Sequence, residues 1–155
     1  MARTSAGILL YRRRPDGPEV LLGHMGGPFW AKKDDGAWSI PKGEHDVDED
    51  PLAVASREFE EELGSPVPAA HLVPLGAVQV TSAKVLTVWA AEGDLDATAT
   101  RSNTFELEWP PRSGRLQEFP EIDRAAWFGL AEARTKLLKG QVPFLDRLRN
   151  DVLTG

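Results

Sequence analysis

The 155 residues predict an α/β (α+β) sandwich. Several short apolar runs are separated by turn-forming residues, one central segment carries both a helix start and a helix stop, and the C-terminal quarter is helix-rich in pattern. One domain spanning 1–155 accounts for the length, which suffices for a single core.

Taken in order, "SAGILLY" (5–11) and "EVLLGHM" (19–25) are β-rich runs joined by "RRRPDGP", and they predict a hairpin. "GGPFWAKKDDGA" (26–37) predicts a loop, and "WSI" (38–40) a short strand stopped by Pro41. Residues 51–63 predict a helix: Asp50 stands at the capping position, Pro51 suits the first turn, and Gly64 with Pro66 ends it. Strands are expected at 72–80, 84–91 and 104–109, a long loop at 109–123, and helices at 130–139 and 141–152.

Composition narrows the function. Hydrophobic residues make up 41% and charged residues 27%, a globular and not a disordered balance. With no cysteine, thiolate metal sites and cysteine nucleophiles are excluded. The net charge of −6 argues against sequence-independent binding of long nucleic acid, which needs a basic surface. "AGILLY" precedes "RRR", the reverse of a signal peptide, and no apolar run reaches membrane-span length. A cytoplasmic protein, monomer or homodimer, acting on a small molecule away from membranes is expected.

The chemistry concentrates in "GEHDVDEDPLAVASREFEEELG" (43–64). At about 100° per residue, Glu58, Glu61 and Glu62 share roughly one third of the helix circumference, while Glu60 points away. Leu52, Phe59 and Leu63 gather on the packing face, flanked by Ala55 and Ser56. Carboxylates at i, i+3 and i+4 repel one another. Hard cations such as Mg²⁺ or Mn²⁺ convert that repulsion into coordination. A plain solvated acidic face is the competing reading of these residues.

The spacing separates the two. Gly43, five residues, Glu49, seven residues, then Arg57-Glu58, Glu61-Glu62 and Gly64 resemble the signature of the Nudix hydrolases at every fixed position. Ser65 departs from the pattern, which usually has an aliphatic residue there. The resemblance implies an α/β/α sandwich with a mixed sheet and a catalytic loop–helix. It implies that Glu58, Glu61 and Glu62, with the carbonyl of Gly43, ligate Mg²⁺ or Mn²⁺, and that Glu49 and Arg57 lock the loop onto the helix. It further implies hydrolysis of a phosphoanhydride in a nucleoside diphosphate linked to another moiety.

"WSIPKG" (38–43) and "PEIDRAAWFGLAEA" (120–133) are similar to segments of asymmetric diadenosine tetraphosphate hydrolases. In that subgroup the glutamate at the place of Glu121 reaches the metals. Glu121 is therefore the favoured base and further ligand, with Glu118 and Glu58 as alternatives. Lys42 is expected to hold a phosphate as a point charge. Phe29, Trp30 and Trp38 are candidates to stack on a base, and Arg112 and Arg115 to close over a polyphosphate. His24, His45 and His71 are scattered, so no histidine metal site is expected. The chain lacks the downstream tyrosine that marks dinucleoside polyphosphate enzymes and the proline that marks ADP-ribose hydrolases. Nucleotide sugars, oxidised nucleoside triphosphates and a non-catalytic nucleotide sensor are the remaining alternatives.

Overall fold

A computed structural model of the chain describes residues 3–69 and 71–154. Its first strand organises the rest. β1 (Arg3–Arg14) is buried from Ser5 to Tyr11, because it runs through the middle of a mixed sheet with a helical layer on each face. Alternation divides its side chains between two cores. Ala6, Ile8 and Leu10 face one helix, and Leu9 and Tyr11 face the C-terminal helices.

β1 turns back into β2 (Gly17–Met25), the predicted hairpin, with Tyr11 opposite Val20. β3 (Trp38–Ser39) and β4 (Lys42–His45) follow, then β5 (Leu72–Thr81) and β6 (Lys84–Glu92). The sheet runs β3-β2-β1-β6-β5, with β4 added on β1 and a late strand, β9 (Ile122–Gly129), on β2. β1 and β6 are parallel and the other pairings antiparallel. β7 (Thr104–Glu108) and β8 (Leu116–Pro120) form a separate two-stranded hairpin.

α1 (Pro51–Leu63) has the bounds the sequence predicts. Asp50 occupies its N-cap, but its side chain makes no capping hydrogen bond. Gly64 ends the helix in the left-handed region at φ 79°, where its N–H reaches the Glu60 carbonyl. Ala55, Phe59 and Leu63 pack on Ala6, Ile8, Leu10, Leu21 and Ala91. Burying Phe59 and Leu63 contributes about 1.5–3 kcal/mol each. Val54 is also buried and Leu52 only half-buried, so the packed stripe is rotated slightly from the expected one. On the opposite face, α2 (Leu130–Lys136), its C-cap Leu137 and α3 (Pro143–Leu148) supply Ala133, Leu137, Phe144, Leu145 and Leu148.

Three expectations need correction. The second half of the long loop expected at 109–123 is β8 and the entry to β9. β4 lies where no strand is expected: Lys42–His45 pairs with Thr4–Gly7 because β1 offers a free backbone edge there. Helix α2 stops at Lys136, three residues early, since the Leu138 N–H turns to the Trp38 carbonyl at 2.7 Å. Among the described residues no helix is long and apolar enough to cross a membrane.

Candidate active site

α1 projects Glu58, Glu61 and Glu62 toward β4, and the three line a cavity of about 390 Å³ with Lys42, Gly43 and Glu121. The mutual approach is close. A Cβ on Gly43 would stand 2.1 Å from the Glu58 side-chain carboxyl carbon, so only glycine leaves the Glu58 carboxyl where it lies. Glu62 Oε2 accepts the Lys42 backbone N–H at 2.8 Å, which ties the helix to β4.

Electrostatics mark the same group. Burial pushes the Glu62 carboxyl up to about 8, against the attraction of Lys42, and the charges of Glu58 and Glu121 push the same way. Glu58 is raised too, first by burial and then by Glu61, with Glu121 adding to it. Glu121 thus acts on two glutamates of the helix from outside it.

Backbone bonds hold Glu121 there. Its N–H donates to the Asn103 carbonyl at 2.9 Å, and its carbonyl accepts the Gly26 N–H at 3.0 Å. Asn103 in turn donates its N–H to the Glu61 carbonyl at 2.8 Å, so residue 103 couples the end of α1 to the strand junction bearing Glu121. Glu118 sits on β8 opposite Glu106, exposed and outside the cavity lining.

Arg57 lies outside the cavity and faces three carboxylates: Glu49 at 3.6 Å, Glu58 at 3.7 Å and Glu61 at 3.8 Å. Glu49 Oε1 also accepts the Asp46 N–H at 3.0 Å, which closes the loop between β4 and α1. That bond, followed by the nearby Arg57, holds the Glu49 carboxyl below its usual range.

The carboxylates that line the cavity offer only hard oxygen donors, and Gly43, having no side chain, lets the Glu58 carboxyl lie against the β4 backbone, so the residues suit Mg²⁺ or Mn²⁺. Among the described residues, no three His, Cys, Asp or Glu side chains are already gathered tightly enough to enclose an ion. The lining is a shared cavity and not a closed cage.

Four of the expected ligand contacts, Trp38, Trp30, Arg112 and Arg115, do not line the cavity. Trp38 is 4% exposed; its ring packs edge-on against His24 and Phe128, under the Arg124 guanidinium, and its Nε1 donates to Asp34 at 2.8 Å. It is a core residue with no face left for a base. Trp30 packs against the core with the Lys33 ammonium 5.2 Å from its ring centre. Arg112 and Arg115 lie at the β7–β8 turn, exposed, and neither lines the cavity.

Met25, Ser39, Glu44, Asn103 and Ile122 line the cavity without having been expected there. Asn103 acts through its backbone, which leaves no signature in residue type. Ser39 is held by buried Gln141, whose Nε2 donates to Ser39 Oγ while its Oε1 accepts the Ile40 N–H.

Comparison with known proteins gives a family match: the NUDIX domain model fits residues 1–148. Comparison with curated protein sequences yields no match. Among solved structures, a C. elegans Ap4A hydrolase binary complex superposes with a TM-score of 0.67 at 19% identity, covering 97% of this chain and 99% of that one. The NUDIX domain of Shewanella oneidensis NrtR, complexed with ADP ribose, gives 0.66 at 15% identity over 96% and 87%. A Nudix hydrolase from M. smegmatis, RenU, gives 0.60 at 24% identity over 97% and 86%. At these identities the likeness is one of fold.

Proposed function

The chain belongs to the NUDIX domain family, and on that premise we propose that it is a divalent-metal-dependent pyrophosphohydrolase cleaving a phosphoanhydride of a nucleoside diphosphate linked to another moiety. The observation that carries this reading is the cavity in which Glu58, Glu61, Glu62 and Glu121 meet beside Gly43. Carboxylates sharing a half-buried space are unfavourable without cations, and the Glu62 carboxyl is pushed up to about 8 first by burial and then by the charges of Glu58 and Glu121.

Glu58, Glu61, Glu62 and Glu121, with the Gly43 carbonyl, are the proposed holders of Mg²⁺ or Mn²⁺. Bound there, such ions screen the diphosphate, polarise phosphorus and acidify water. The chain's own groups do the rest. Lys42 brings a positive charge to the cavity and positions a phosphate oxygen. Glu121 accepts the proton of the attacking water, and its two backbone hydrogen bonds fix it for that task. Arg57 and Glu49 hold the loop so that the Gly43 carbonyl stays in place.

The proposed substrate is a dinucleoside polyphosphate such as diadenosine tetraphosphate, split to ATP and AMP. It is supported by "WSIPKG" and by the segment carrying Glu121, and a C. elegans Ap4A hydrolase is among the structural neighbours. The test is to incubate the protein with diadenosine tetraphosphate and Mg²⁺ and separate the products. Equal ATP and AMP, abolished by chelator, is expected. Turnover confined to nucleotide sugars or oxidised triphosphates would move the substrate. Inertness toward all three classes would leave a nucleotide sensor.

A further inference from the structure

Residues 101–103 lie between the end of α1 and the start of β9 and are bonded to both. Toward the helix, the Arg101 N–H donates to the Leu63 carbonyl at 3.1 Å and the Asn103 N–H to the Glu61 carbonyl at 2.8 Å. Toward the strand, the Asn103 carbonyl accepts the Glu121 N–H at 2.9 Å, and Ser102 Oγ accepts the Ile122 N–H at 3.1 Å. We propose that Ser102 is a positioning residue for the hydrolysis, its hydroxyl fixing where the Glu121 carboxylate stands. This rests on the role proposed above for Glu121 as base and metal ligand.

The hydroxyl is committed on both sides. While it accepts from Ile122, it donates to the Asn103 carbonyl at 2.8 Å, the same oxygen that takes the Glu121 N–H. One half-buried side chain thus holds the amides of two consecutive residues, one directly and one through a shared carbonyl. Strand pairing does not do this for them. Ile122 stands opposite Met25, but Met25 gives its N–H to the Ala37 carbonyl and Ile122 gives its own to Ser102. The next pair in the register is His24 with Arg124, so Asp123 is an extra residue in β9. A bulge of this kind re-aims the side chains beside it. Among the described strands β9 pairs with β2 alone, and residues 102 and 103 supply the acceptors that no further strand offers.

The clasp is itself anchored. The Glu61 and Leu63 carbonyls belong to the last turn of α1, where a helix leaves its acceptors unpaired, and Asn103 and Arg101 satisfy them. So close an approach needs glycine at 64: a Cβ there would lie 2.8 Å from the Arg101 carbonyl oxygen and 3.0 Å from its nitrogen. On the far side the Gly26 N–H closes on the Glu121 carbonyl at 3.0 Å. Ser102 does not line the cavity, so its effect passes through Glu121 and not through the substrate. With alanine at 102 the Ile122 N–H loses its acceptor, and the strand start must shift to find another. The neighbouring Glu121 carboxylate moves with it.

The test is a double-mutant cycle of Ser102→Ala with Glu121→Gln on the whole chain. It is read by Mn²⁺ titration in electron paramagnetic resonance and by kcat on diadenosine tetraphosphate. Ser102→Ala is expected to weaken Mn²⁺ binding and to lower kcat, each by about tenfold, as for other groups that orient a ligand. Added to Glu121→Gln it should change neither further, and Ser102→Thr, which keeps the hydroxyl, should stay near the wild type. Wild-type Mn²⁺ affinity in Ser102→Ala overturns the proposal. So does an equal loss in both backgrounds, which would place the effect at the helix end and not in Glu121. Mn²⁺ uptake without turnover of any of the three substrate classes contradicts the hydrolase reading alone, because the cycle in Mn²⁺ affinity still decides the clasp. No Mn²⁺ uptake by the wild type contradicts both.

Discussion

The Lys42 N–H donates a 2.8 Å hydrogen bond to Glu62 Oε2, joining β4 to the last turn of α1. Among the described residues it is the one hydrogen bond from β4 to a helix carboxylate in the cavity, and it fixes the half-buried Glu62 among the other glutamates of the lining. The behaviour of Glu62 therefore reports on the whole cavity.

Replacing Glu62 by glutamine keeps its shape and an oxygen for Lys42 while removing the charge. Turnover is expected to fall by at least about 100-fold, as for the loss of a metal-positioning group. The melting temperature of metal-free protein should hold or rise, since a neutral amide suits a site that already favours the neutral carboxyl. Steady-state kinetics and thermal denaturation measure both.

The same carboxyl sets a pH dependence. Its folded pKa is raised from 4.5 to about 8, so the folded state holds a proton that the unfolded chain releases. Its contribution to stability is fully present below 4.5 and is lost as pH rises through about 8. Metal-free protein should lose melting temperature across that window. Saturating Mg²⁺ should flatten or reverse the slope, because ion binding expels the proton. A melting series with and without chelator decides it.

One pair of variants separates Glu121 from Glu118 as the base. Glu121→Gln is expected to lower kcat by about 100-fold or more with little change in stability. Glu118→Gln, exposed across from Glu106 on the hairpin, should leave the rate near that of the wild type. A normal rate in Glu121→Gln would pass the base role to Glu58.

Gly43→Ala tests the close approach of β4 and α1. A methyl group there must push the Glu58 carboxyl aside. Mg²⁺ affinity is expected to fall by about tenfold or more, with circular dichroism unchanged. Titration of activity against Mg²⁺ gives the shift.

Ser65 offers a stability test away from the chemistry. Its Oγ is buried without a hydrogen-bond partner among the described residues. Ser65→Ala should stabilise by about 1 kcal/mol, the cost of an unsatisfied hydroxyl. Urea denaturation would show it. The departure from the aliphatic residue usual at this position thus carries the cost of an unpartnered hydroxyl.

How legible the molecule is depends on where each element gets its partners. α1 announces its ends locally through Pro51 and Gly64, and its bounds follow from sequence. β4 has no apolar alternation; Lys42–His45 is a strand because β1 has a free edge beside it. β8 and β9 hide in a stretch rich in Pro and Arg, where pairing with β7 and β2 overrides weak local preference. In the cavity, Glu58, Glu61 and Glu62 follow from helical spacing, whereas Asn103 enters through its backbone and no residue pattern marks it. Trp38 misleads because a tryptophan suits a stacking site and a core equally well, and here the neighbouring His24 and Phe128 decide it.

The cavity that gathers Glu58, Glu61, Glu62 and Glu121 is proposed as a socket for divalent cations. Titration with Mn²⁺, followed by loss of the free-ion electron paramagnetic resonance signal, tests it without reference to any substrate. The wild type is expected to take up Mn²⁺ in competition with Mg²⁺, more tightly as pH rises from 6 toward about 8, and Glu62→Gln to bind at least about tenfold more weakly. Equal Mn²⁺ uptake by the two proteins would contradict the account.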